Sequence, residues 1–414
     1  MMTSAGNPSE RMLAVPAASS SLHSWRPADP RLFSRSEVKR QTGTYSSAVP
    51  AQLSNWSPSL TSELGADLED ATRALSDFDR RTALVLGTGS AALGPMSAIL
   101  LRTESASSSQ IENLTVSAKQ LALAEIGAGS SSNSRTVIGN VRAMEAAVAL
   151  TERLSVSAIL SMHRELLTHQ PGMEEHAGQL RSELVWIGKG NAGPRDADFV
   201  APQPDLITSA LADLLAFADR VDLPAMLQIA VAHAQFETIH PLIDGNGRTG
   251  RALAQIMLRA SGIASHTTVP LSAGLLTDLD RYFDALGAFR AGDAEPIVRT
   301  FAGAARFAAA AGGDLVDALR SALDESRELL AGVRPQATGL RLLPLLVGQP
   351  IVDSAFVQRA LAVDAVTANR ALSLLTERGV LTELTGRRRG KVWQHSGILD
   401  ALEDFAAGVR RARR

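Results

Sequence analysis

The chain has 414 residues, which at roughly 150 per domain predicts two or three domains. Its 41 Lys and Arg against 43 Asp and Glu leave a formal charge of -2, so no global field recruits nucleic acid or an anionic membrane, and any such contact is local. With no Cys, disulfides, thiolate catalysis and Cys-ligated metal sites are excluded, and the lack of a long apolar run or a secretory leader predicts a cytoplasmic protein with no membrane partner.

Residues 1–40 are rich in Ser, Ala and Pro without a sustained apolar period and read as a flexible arm. From Tyr45 the pattern tightens. Leu64, Leu68, Ala71, Leu75 and Phe78 recur at helical spacing, which places two helices in 60–103 before a stop at the serine run Ser105 to Ser109. Helical patterning resumes through Leu121 and again from Thr136 to Leu154, so a helical segment over 41–125 precedes a core over 126–320. Within the core, helices are expected at 155–168, 204–219, 222–239, 247–261, 275–290 and 294–311, nearly all rich in Ala, the strongest helix former. The stretch 178–201 alternates polar and apolar residues about a Gly/Asn/Pro turn and reads as a β-hairpin, better suited to a flap than to a core sheet. Past Gly339, helices at 339–348, 353–362 and 365–378 and two strands around Gly386 to Lys391 follow the order of a winged helix-turn-helix, giving such a domain and a basic tail over 335–414. The fold class expected is mainly α, a helical bundle with a β-hairpin flap, an N-terminal helical segment and a C-terminal winged helix.

Chemistry is concentrated in His240-Pro241-Leu242-Ile243-Asp244-Gly245-Asn246-Gly247-Arg248-Thr249-Gly250-Arg251, at a junction between two helices. Pro241 stops the first helix and leaves His240 in the gap. Gly245 and Gly247 flank Asn246, so the backbone is free to turn its N–H groups inward at the positive end of the next helix, and such a nest binds phosphate. Arg248 and Arg251, three apart on the first turn, share a face from which two guanidinium forks grip phosphate oxygens. Asp244 offers a hard oxygen ligand for Mg²⁺. His240, of a residue type that titrates near pH ~6.5, takes a proton from an attacking hydroxyl. These groups describe a nucleoside triphosphate site with its own general base.

The string resembles the signature of Fic-domain proteins, HPFx(D/E)GNGRxxR, at every defined position except the aromatic one. There Leu242 stands for Phe, a change expected to touch packing before chemistry. The resemblance spans roughly 45–320 and implies a Fic-type bundle acting as a protein adenylyltransferase, which moves AMP from ATP onto a Ser, Thr or Tyr hydroxyl of a target protein and releases pyrophosphate. It also implies that His240 is the general base, that Asp244 holds Mg²⁺, and that Gly245, Asn246 and Gly247 line the anion hole. Arg248 would hold the β-phosphate region and Arg251 the γ-phosphate. The hairpin, with Leu180, Arg181, Trp186, Ile187 and Gly188, is similar to the family's flap, which lays the target beside the α-phosphate by strand pairing.

A second stretch, Ser108-Ser109-Gln110-Ile111-Glu112-Asn113, resembles the family's inhibitory motif (S/T)xxxE(G/N). It implies that Glu112 pairs with Arg251 and repels the γ-phosphate, leaving a low basal activity; in some relatives the same glutamate also serves removal of AMP. In the C-terminal module Ser354 and Asp364 read as helix caps, Thr367, Asn369 and Arg370 as exposed, and Arg387, Arg388, Arg389 and Lys391 as a basic wing. That module fits DNA contact or protein docking equally. The Arg410, Arg411, Arg413 and Arg414 tail reads as solvated, and apolar faces around 60–100 fit a homodimer as well as internal packing. Two alternatives stay open: a DNA-binding transcriptional regulator with a nucleotide-sensing Fic core, and a Fic transferase using another nucleotide donor.

Overall fold

The computed structural model describes residues 13–86, 93–129, 131–149, 154–188, 192–384 and 390–413. At the N-terminal end β1 (Ser19–Trp25) and β2 (Gly43–Val49) pair antiparallel, with Ser19 opposite Val49, and α1 (Arg35–Gln41) bridges them behind a Ser34/Glu37 capping box. The flexible arm expected over 1–40 is therefore corrected for residues 13–40. The contacts that hold them to the rest of the chain are long-range and leave no periodic trace in the sequence: Leu13 and Val15 are buried, the Trp25 indole donates to Ala192 O at 3.0 Å, and the adjoining Gln41 donates to Asp196 at 3.0 Å.

Next come α2 (Ser62–Leu86), α3 (Leu93–Ile111), α4 (Ala118–Glu125), α5 (Ser132–Ala149) and α6 (Val156–Thr168). The apolar stripe Leu64, Leu68, Ala71, Leu75 and Phe78 is buried, so that face serves internal packing. The expected stop at Ser105 to Ser109 is also corrected, because α3 runs on to Ile111 through four buried serines of that run. Asn140 of α5 explains this: its amide donates to Ser105 O at 2.8 Å and to the Ser109 hydroxyl at 3.1 Å, satisfying polar groups that would otherwise break the helix.

The flap strands β3 (Trp186–Ile187) and β4 (Phe199–Val200) pair over two residues each, Trp186 with Val200 and Ile187 with Phe199. Then follow α7 (Ile207–Ala218), α8 (Ala225–Ile239), α9 (Asn246–Ala260), α10 (Leu271–Leu275), α11 (Leu279–Arg290) and α12 (Glu295–Leu329). Every residue of α8 from Met226 onward is buried, its Gln228, His233 and Gln235 hydrogen-bonded to Phe217 O, the Tyr282 hydroxyl and Ala51 O, and α7, α9, α11 and α12 pack against it. The helix expected to end at 311 continues to Leu329. The Gly312–Gly313 pair does not break it, because a Cβ on Gly312 would come within 3.0 Å of Phe78; the glycine lets α2 lie close against α12.

The last unit comprises α13 (Thr338–Gly348), β5 (Ile351–Asp353), α14 (Ser354–Leu361), α15 (Ala365–Glu377), β6 (Thr382–Glu383), β7 (Val392–Gln394) and α16 (Ser396–Ala412). The strands form one antiparallel sheet in the order β5-β7-β6. Asp364 caps α15 as expected, but Asp353 rather than Ser354 caps α14. Arg410, Arg411 and Arg413 of the tail are exposed, as a solvated end requires, although the helix that carries the first two, α16, buries Ile398, Leu399, Leu402 and Val409 and packs against α12 and α4. Arg387, Arg388, Arg389 and Arg414 lie outside the described residues. No described helix is long and apolar enough to cross a membrane.

Candidate active site

Helix α8 delivers His240. Pro241 forbids another helical turn, and His240 closes the helix in the left-handed region (φ 48°, ψ 58°) with its N–H on Phe236 O at 2.9 Å. The loop is then locked from inside. Asn246 Oδ1 accepts from the Leu242 N–H and its Nδ2 donates to Leu242 O, both at 2.9 Å, so this side chain braces the loop and does not itself line an anion hole. Leu242, in the position where Phe was expected, is fully buried. Gly245 sits at φ 76°, and a Cβ there would approach Leu166 of α6 to 2.6 Å.

Two residues that sequence reading missed hold the loop from α6 and its C-terminal end. His163 accepts from the Gly178 N–H at Nδ1, so its proton is on Nε2 and is donated to Asp244 O, each at 3.2 Å. Burial drives its pKa down to about 4, so the imidazole is neutral. Gln170 donates to Asp244 Oδ2 at 2.6 Å and accepts from Arg248 Nη1 at 3.1 Å. Asp244 Oδ1 takes the Gly245 N–H at 2.7 Å, and Arg248 Nη2 stands 3.3 Å from Oδ2. Neither His163 nor Gln170 is near the motif in sequence, and no local pattern could have singled them out.

Arg248 and Arg251 are both 3% exposed at the side chain but reach in different directions. Arg251 turns to α3: Nε donates to the Ser108 hydroxyl, Nη2 to Ser108 O and to Glu112 Oε1, all at 2.9 Å. Burial weighs against its charge, yet Glu112 beside it holds the guanidinium pKa above its usual value. Just past the end of α3, Asn113 is left-handed (φ 62°) and Leu114 N–H returns to Ser109 O at 3.0 Å, a helix stop that Gly or Asn provides most easily. The Glu112 carboxylate lies over the first turn of α9, where a Cβ on Gly247 would collide with it. It sits at the positive end of that helix.

Burial pushes the His240 pKa down to about 4, and its Nδ1 lies 3.8 Å from Glu237, whose pKa burial pushes up to about 7. Glu237 was not singled out from the sequence, although it lies one turn before His240. Of the flap residues, Arg181 is internal: its guanidinium donates to His240 O at 2.7 Å, Glu183 O at 2.8 Å and Pro202 O at 2.6 Å, tying the flap to the catalytic loop. Leu180 packs against the core, Trp186 meets Trp25 edge-on at 5.5 Å, and Gly188 (φ 144°) allows close approach to Asp198 N. Ile187 is 45% exposed. Among the described residues no cluster of three His, Asp or Glu could hold a metal alone. Asp244 is a single carboxylate with lone pairs left after its three donors, which fits Mg²⁺ shared with phosphate oxygens.

Residues 153–258 match the sequence model of the Fic/DOC family, so this segment is a Fic/DOC family domain; α3 and Glu112 lie outside the matched span. The chain is 31% identical over 149 residues to the protein adenylyltransferase fic-1 of Caenorhabditis briggsae, covering 35% of this chain and 26% of that one. It is 29% identical over 152 residues to the protein adenylyltransferase Fic of Nematostella vectensis, covering 36% and 32%. The chain thus spans only about a quarter to a third of these curated relatives. Among solved structures, a Fic family protein from Desulfovibrio desulfuricans G20 is similar with a TM-score of 0.49 at 21% identity, over 81% of this chain and 97% of that one.

Proposed function

We propose that this chain is a protein adenylyltransferase that moves AMP from ATP onto a Ser, Thr or Tyr hydroxyl of a target protein, and that Glu112 holds it at low activity. The observation that carries this reading is the intact HPLIDGNGRTGR loop, closed on itself by Asn246 with a neutral His240 at its rim. The target hydroxyl oxygen forms a bond to the α-phosphorus, the bond from that phosphorus to the pyrophosphate oxygen breaks, and His240 accepts the hydroxyl proton. With its pKa near 4, the imidazole is unprotonated at neutral pH. The N–H groups opening α9, with Arg248, balance charge on the departing pyrophosphate. Asp244 would hold Mg²⁺, which supplies further charge neutralisation.

The β3–β4 flap, with Ile187 45% exposed, supports strand addition by a target segment. Glu112 occupies the guanidinium that the γ-phosphate needs, and ATP meets a carboxylate there instead. A water that gives its proton to that carboxylate would bond to the phosphorus of a modified target, break its bond to the target oxygen and release AMP and the free hydroxyl, a hydrolytic AMP-removing activity. The lack of Cys suits a reducing cytoplasm, where ATP is supplied. The C-terminal unit, with its three-stranded sheet and Asn369 and Arg370 exposed on α15, supports a winged helix. Lys391 is tied to Glu383 at 2.8 Å, which favours protein docking over a basic wing on DNA.

The test incubates the wild type, Glu112→Gly and His240→Ala with ATP labelled at the α-phosphate and Mg²⁺, and weighs the protein. An AMP-sized increment that is largest in Glu112→Gly and missing in His240→Ala supports the reading. No increment in any of the three, with or without a target-containing extract, refutes it.

A further inference from the structure

A pocket of about 390 Å³, open to solvent on one side, lies on the far side of α3 from the His240–Arg251 loop, walled by α4, the 115–118 loop and α16. At about 100° per residue, Ser108 and Glu112 lie on one side of α3, whereas Ile99, Thr103, Ala106 and Gln110 lie opposite and line the cavity. One helix therefore presents its inhibitory carboxylate to Arg251 and its back to this space. Leu402, Phe405 and Val409 of α16 supply an apolar roof. The floor is polar: the Ser107 hydroxyl and the Gln110 amide make no hydrogen bond to the described chain. Of the four charged lining residues, Arg102 and Glu125 pair at 2.7 Å and neutralise one another at the wall, and Glu403 and Arg410, one of each sign, are exposed at the rim.

We infer that this cavity is a binding site for an uncharged amphipathic small molecule, with an apolar body against α16 and an amide- or hydroxyl-type group on Ser107 and Gln110. Its volume and its mostly apolar lining with a few polar groups are those of ligand pockets. Because α3 in its seated position forms the floor, the ligand binds that position more tightly than one in which α3 withdraws. Occupancy therefore favours the Glu112–Arg251 contact, and ligand and productively bound ATP oppose one another reciprocally. The coupling rests on Glu112 being inhibitory; the binding site does not.

The probe is N-phenyl-1-naphthylamine, an uncharged aromatic amine that brightens in apolar surroundings, titrated into the full chain. Saturable binding at one site is expected, weakened at least ~10-fold by Ala406→Trp, which fills the cavity from α16, and several-fold by Gln110→Ala, with His240→Ala unaffected. Circular dichroism melts check folding, and Gln110→Ala carries the test should the tryptophan variant not fold. Non-saturable binding, or equal binding by the wild type and every folded cavity variant, overturns the site. Hydrogen exchange over 105–113 should slow when the probe is bound; unchanged exchange with binding intact overturns the coupling. Probe binding by a chain that never self-labels would refute the transferase reading and leave the cavity site standing.

Discussion

Among the described residues, replacing Glu112 by Gly removes one of three hydrogen bonds from the Arg251 guanidinium and the one carboxylate paired with it. A charge-assisted hydrogen bond of this kind is worth about 1.5–3 kcal/mol. The Glu112 side chain is 38% exposed, so water screens part of that value and the lower end applies. At about 1.4 kcal/mol per factor of ten, the fraction of chains with a free Arg251 rises by roughly ten-fold, and self-labelling with AMP rises with it. Folding suffers little, because Arg251 keeps both bonds to Ser108 and is not stranded; a loss of about 1–2 kcal/mol is expected. Calorimetry sharpens the test. ATP should bind about ten-fold more tightly to the variant, while AMP, which has no γ-phosphate, should bind both forms alike. Equal labelling rates in the wild type and the variant, or an AMP affinity that shifts as much as that of ATP, would refute the assignment of Glu112 to the γ-phosphate seat.

The pH profile follows from His240. With its pKa pushed down to about 4, His240 is unprotonated from about pH 6 to 8. Any change in the initial labelling rate of Glu112→Gly over that range therefore comes from Glu237, whose pKa is about 7, and should disappear when Glu237→Gln is added. A half-loss at about pH 6.5 that persists in the double variant would contradict a buried base. Glu104, buried against Ser272, has a pKa raised from 4.5 to about 7, so the folded chain keeps a proton that the unfolded chain gives up between those values. Stability from this group is present below about pH 4.5 and lost as pH rises through about 7. Urea midpoints should accordingly show Glu104→Gln gaining about 3 kcal/mol relative to the wild type between pH 5 and 8, and a constant difference would count against it. Arg181→Met unties His240 O, Glu183 O and Pro202 O together. It should cost about 3 kcal/mol or more in chemical denaturation and slow labelling while ATP affinity stays the same.

The helices were largely legible in the sequence, because burial of one face writes a 3.6-residue period that α2, α6 and α9 carry, and α8 was bounded by Pro224 and Pro241. So was the catalytic loop, since proline, two glycines and the cations at a helix start are local devices that work within twelve residues. Whatever depended on distant partners was not legible. The serines of 105–109 look like a helix stop until Asn140 satisfies them, and Gly312–Gly313 looks like a break until Phe78 fills the space beside it. The N-terminal hairpin looks like a flexible arm until Trp25 and Gln41 meet the flap. In the site, residue types and spacing named His240, Asp244, Arg248 and Arg251, and only the family resemblance pointed to Glu112. Which way each side chain reaches was settled by folding. Arg248 turns to Gln170 and Asp244, Arg251 to Ser108 and Glu112, and Arg181 turns inward to three carbonyls. Direction and protonation both depend on what surrounds a group once water has been excluded, and those surroundings come from segments far apart along the chain.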